Sequence, residues 1–103
     1  MKIIKNIVEN IREEMEGAEH YAKLATQYKD EDRALADTYC KLADAELSHV
    51  DALHSQAVRL IRDQKEKGVE VPAAMQAVWD WEHEKMVDGV ARIKAMIAMY
   101  KGN

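Results

Sequence analysis

The chain has 103 residues, with 15 Lys and Arg against 19 Asp and Glu, one Cys, one Pro, four Gly and no Phe. That length bounds it to a single domain, residues 1–103, which buries only a modest share of its surface alone, so association with further copies is expected. A net charge of −4 with mixed signs offers no basic stripe for nucleic acid and no cationic cluster for an anionic membrane, and neither partner is expected.

Ala, Glu, Lys, Met and Asp favour helix over sheet, and the fold class is predicted as all-α. The opening "MKIIKNIVENIREE" interrupts its apolar residues with Lys, Asn and Glu, unlike the continuous apolar region of a secretion signal. No apolar run is long enough to span a bilayer, and a soluble cytoplasmic protein is expected. Breaker chemistry occurs at "YKDED", residues 28–32, and "EKGVEVP", residues 66–72. Asp30 or Asp32 suits a helix N-cap, Gly68 a helix C-terminus and Pro72 the first turn of the next helix. Helices are therefore predicted over about 2–29, 32–66 and 73–100, as an antiparallel hairpin followed by a third helix. Cys40 has no partner for an intrachain disulfide and reads as a small packing residue.

Each helix carries a stripe with alternating steps of three and four, the spacing of a bundle seam. In the first it runs Ile4, Ile7, Ile11, Glu14, Ala18, Tyr21, Ala25, Tyr28. In the second it runs Leu35, Tyr39, Leu42, Glu46, His49, Leu53, Gln56, Leu60, and in the third Met75, Trp79, Glu82, Met86, Gly89, Ile93, Met96, Tyr100. Glu14, Glu46 and His49 thus stand at seam positions. An ion moved into a dry interior costs several kcal/mol, against a domain stability of about 5–15 kcal/mol, so a cationic side chain, a bound proton or a metal must compensate the carboxylates. Glu14 lies sixteen residues before Asp30 and Glu46 sixteen after it, so a hairpin turning near Asp30 brings them level. His49 is about 4.5 Å further along the axis and reaches the same point. Two carboxylates and an imidazole form a donor set suited to iron, manganese or zinc.

Glu14 followed seven residues on by Tyr21, in "EEMEGAEHY", and then Glu46-Leu-Ser-His49, resemble the first half of a ferritin-like di-iron carboxylate site. The resemblance covers residues 10–60 and extends to ferritins, rubrerythrins and, in its half-site layout, the short encapsulated ferritins. A second Glu-x-x-His is missing from the third helix. The resemblance therefore implies a four-helix bundle completed by an obligate homodimer, or a higher homo-oligomer, with Glu14, Glu46 and His49 doubled by symmetry to hold two irons, Mn or Zn being the other metals. It further implies ferroxidase-type oxidation of Fe(II), or dioxygen or peroxide chemistry. Tyr21, Tyr39 and Glu82 are candidates for positions beside the metal or across the subunit boundary, with Glu82 expected about 15 Å from Glu46 along the axis.

Other readings of the same residues stand beside this one. Glu14, Glu46 and His49 also fit a metal-free polar cluster that fixes helix register, in a non-catalytic helical oligomer assembled through the third helix. A mononuclear zinc or manganese site within one chain uses the same three residues and water. His20, His54 and His83 fall off the stripes and are expected at the surface, as is an acidic face of Glu13, Glu16 and Glu19. Trp79 and the Met residues of the third helix are expected in the core or an interface, and Trp81 at a further subunit contact.

Overall fold

The computed structural model describes residues 2–102. Three helices account for nearly all of them: α1, Lys2–Tyr28; α2, Arg33–Glu66; and α3, Ala73–Lys101. Every boundary falls within a residue of the expected position, because the turn chemistry is local. Asp32 is the residue that caps α2, its Oδ1 accepting the Leu35 N–H at 3.1 Å. Gly68 ends α2 in the left-handed conformation, φ 74°, which a side chain would strain. The Gly68 N–H donates to the Lys65 carbonyl and the Val69 N–H to that of Gln64, the paired bonds of a Schellman motif. Pro72 stands one residue outside α3, as its N-cap.

α1 and α2 form the antiparallel hairpin, and α3 lies along it, antiparallel to α2 and in the direction of α1. Its register is fixed at both ends. Arg12 pairs with Glu82 and Glu19 with Arg92, each at 2.7 Å. At the far end the Tyr100 hydroxyl donates to Asp37 at 2.5 Å and Lys101 reaches Asp44 at 3.5 Å. The result is a rod of 56 × 20 × 17 Å. No helix among the described residues is long and apolar enough to cross a membrane.

The core lies near the α1–α2 turn, where Ala18, Ala22 and Ala25 face Ala36, Cys40 and Ala43, and α3 closes the cluster with Ile93, Ile97 and Tyr100. Small side chains allow α1 and α2 to approach closely, so the bulk that fills the gap comes from α3. Cys40 is the packing residue expected. Burial along α3 is one-sided in sequence: Gly89, Ile93, Ile97 and Tyr100 are buried, whereas none of residues 73–88 is.

On α2 the expected seam is displaced. The buried line is Ala36, Cys40, Ala43, Val50 and Ala57, one residue round from the Leu35, Tyr39, Leu42, Glu46 and His49 line. The physical reason is that α2 serves two neighbours, and only its line of small residues points between them. The larger residues border the groove on the edge α3 does not reach, leaving Leu35 at 38% and Leu42 at 40% exposure.

Candidate metal centre

The level of the hairpin is as its sequence dictates. Glu14 on α1 and Glu46 and His49 on α2 each offer one ligand atom, and these atoms all lie within 4.8 Å of one another. His49 Nδ1 is 3.2 Å from Glu14 Oε2. Hydrogen bonding between the two carboxyls pushes Glu14 below the usual carboxylate pKa and, with burial and the Glu14 charge, pushes Glu46 above it. The shifts have opposite signs because two adjacent carboxyls ionise one after the other, and Glu46 is the one that holds its proton to the higher pH. An ionised Glu14 can only accept, so the His49 bond runs from Nδ1–H to Glu14.

The cluster is more open than seam positions imply. The Glu14 side chain is 30% exposed and that of His49 56%, on the same uncovered edge of the hairpin as Leu35 and Leu42. The cost of holding charge there is accordingly small in a single chain. It becomes large only when something covers the edge.

Gly17 is the residue that sequence reasoning passed over. It lies one turn from Glu14 in the middle of α1, where glycine costs about 1 kcal/mol relative to alanine. A Cβ there would stand 3.3 Å from Glu46 Oε2 and 3.4 Å from its Cδ. Its missing side chain is the space into which the Glu46 carboxyl reaches. The signal was visible as a glycine inside an otherwise uninterrupted helical pattern.

The other candidates lie elsewhere. Tyr21 and Tyr39 stack on each other, ring centroids 6.0 Å apart, and Tyr39 stacks on Tyr28 at 6.2 Å. Among the described residues neither phenol of the Tyr21–Tyr39 pair hydrogen-bonds Glu14 or Glu46, so the ladder packs the hairpin edge between the cluster and the turn. Glu82 is held by Arg12 at 2.7 Å and Lys85 at 3.5 Å on the α1–α3 side, away from the cluster. Trp81 is 58% exposed, with Lys85 Nζ 3.6 Å above its ring.

Two histidines expected at the surface are partly buried instead. His54, Trp79 and His83 form a stack between α2 and α3, with the His54 ring 6.1 Å from Trp79 and 5.0 Å from His83. Off-stripe positions are covered here because α3 lies to one side of the hairpin. His20 is exposed, as expected.

The donor set fits a divalent ion of the iron, manganese or zinc kind. Two carboxylates and an imidazole converge, and a glycine makes room for one ligand. Comparison of the chain with protein-family models, with curated proteins and with solved structures finds no match.

Proposed function

We propose that the chain is a ferritin-like metal-binding protein whose hairpin pairs with that of a second copy, so that two sets of Glu14, Glu46 and His49 hold two iron ions. The observation that carries this is the convergence of those three side chains on the edge of the hairpin that α3 leaves uncovered. The exposed Leu35 and Leu42 border that edge and supply apolar surface for a second hairpin. Covering it by a twofold would convert a half-open site of three ligands into an enclosed one of four carboxylates and two imidazoles.

The chain's own residues do the following. Glu14 and Glu46 provide the negative charge that would attract Fe(II), and with His49 they would be its ligands. Gly17 lets the Glu46 carboxyl approach without displacing α1. The second copy excludes bulk water, which strengthens every interaction between charge and ligand. Two Fe(II) ions held by these residues would each give up one electron, with dioxygen or peroxide as the acceptor.

The test is elemental analysis of protein from iron-supplemented cells together with its mass in solution. Iron near one per chain in a dimer, lost in Glu46→Ala, supports the reading. A metal-free protein whose assembly and stability are unchanged in Glu46→Ala refutes it. One observation favours a second reading, a non-catalytic helical oligomer: Glu14 is already paired with the His49 ring at 3.2 Å without any metal. In that case Val78 and Trp81, 59% and 58% exposed on α3, are the assembly surface.

A further inference from the structure

The first half of α3 is attached differently from the second. Residues 93–100 are anchored by Ile93, Ile97 and Tyr100 in the core, whereas residues 73–88 contribute nothing fully buried. That first half is held by the Arg12–Glu82 ion pair, whose Arg12 side chain is 52% exposed, and by the His54–Trp79–His83 stack. Exposed ion pairs are worth little, which leaves the stack as the attachment of this half to α2.

We propose that the His54–Trp79–His83 stack is an acid-sensitive clasp: neutral, it holds the first half of α3 against the hairpin, and protonated, it lets that half swing away while Ile93, Ile97 and Tyr100 keep the second half docked. The geometry is that of a clasp and not of a chelate. His54 is nearly parallel to Trp79, at 8°, and within 28° of His83, so the ring planes are roughly aligned across the stack. His54 Nε2 is sealed from solvent and has no hydrogen-bond partner among the described residues. A proton there has no acceptor, and the charge lies against a second imidazole.

The surrounding charges do not rescue it. On α2, Asp51 favours the protonated ring, but burial and His83 both oppose it, burial most strongly. Asp44 of α2 and Lys94 of α3 line the same α2–α3 groove with opposite signs. Around His83, Arg12 and Glu16 face it from α1, while on α3 Glu82 is already committed to Arg12 and Lys85. His54 therefore stays neutral in the closed form to lower pH than a free histidine.

The sign follows. Closure is fully favoured above the ordinary histidine value of about 6.5 and is lost as pH falls from there toward the lower value of the clasped ring, because only the open form takes up the proton. Within that window one proton makes the open form up to about tenfold more populated per pH unit. Opening uncovers the apolar α1 wall of the α1–α3 groove, formed by Val8, Ile11 and Met15. None of this requires a metal at Glu14, Glu46 and His49.

Amide hydrogen exchange of the full chain at about pH 7.5 and about pH 5.5, corrected for intrinsic rates, tests the clasp. Protection of residues 76–86 relative to 93–100 should fall up to about tenfold per pH unit. In His54→Phe, which keeps an aromatic ring but cannot titrate, that dependence should vanish. Equal protection of 76–86 at both pH values, loss of both halves together, or the same slope in His54→Phe overturns the proposal. Should the variant fail to fold, the wild-type His54 resonance decides by NMR: titration below the free-histidine value supports the clasp, and titration at or above it overturns it.

Discussion

Gly17→Ala separates the needs of the helix from those of the site. Adding a methyl group in the middle of α1 removes the conformational cost of glycine, a gain of about 0.5–1 kcal/mol. Against this, the new Cβ would meet Glu46 Oε2 at 3.3 Å and Cδ at 3.4 Å, so the carboxyl must withdraw by a few tenths of an ångström. Glu46 is half-buried at an open edge, and the atoms in the way are the far end of its side chain, so it can yield at small cost. In the absence of metal the variant should therefore be the more stable protein. For a chain of this size the gain corresponds to a melting temperature about 2–8 °C higher. Metal binding should move the opposite way, since a withdrawn Glu46 is a misplaced ligand; a loss of about 10- to 100-fold in affinity is the scale for supporting positions around a metal. Thermal melts in chelator, followed by titration with Mn(II) or Co(II), read both quantities on one sample. A variant that melts lower in chelator would refute the packing argument, and one that is stabilised but binds metal as tightly as before would refute the role assigned to Gly17.

Further outcomes follow from the same geometry. Glu46→Gln keeps a hydrogen bond to Glu14 but cannot ionise; because the Glu46 pKa is raised on folding, its stabilising contribution exists at low pH and is lost as pH rises through the folded value, so the metal-free variant should gain on the wild type in chemical denaturation toward neutral pH and match it in acid. Tyr100→Phe loses the hydroxyl that holds the Asp37 carboxyl below its usual pKa, so the variant should melt lower near neutrality, and the gap should close as pH falls through the carboxylate range and Asp37 is protonated. Ile93→Ala, at a side chain only 1% exposed, should cost about 2–5 kcal/mol and shift the denaturant midpoint. A Cys40→Ser change replaces a small buried apolar group by a hydroxyl and should also lower the midpoint, independently of redox conditions.

What could be read in the sequence was what is decided locally. Asp32, Gly68 and Pro72 act within a few residues of themselves, and the helix boundaries came out within a residue. The level of Glu14 with Glu46 follows from counting out from the turn, because a short turn ties the register of the two helices to its own position. The stripe on α2 was harder, since Ala36, Cys40 and Ala43 carry too little apolar weight to outrank Leu35, Tyr39 and Leu42 in a periodicity count. Small size is what buries them, through the close approach of two backbones. His54 and His83 were misjudged for a related reason: which off-stripe residues are covered depends on the side of the hairpin that α3 chooses. That choice is made by pairs more than sixty residues apart, such as Arg12 with Glu82 and Asp37 with Tyr100.

The central claim, that two copies of the chain grip metal jointly through their hairpin edges, is met most directly by an anomalous-scattering map from crystals grown with iron and collected above its absorption edge. The account predicts a pair of peaks between two chains related by a twofold, each flanked by Glu14, Glu46 and His49 side chains. A map with no peak there, or with these side chains turned to solvent and no second chain opposite, would contradict it.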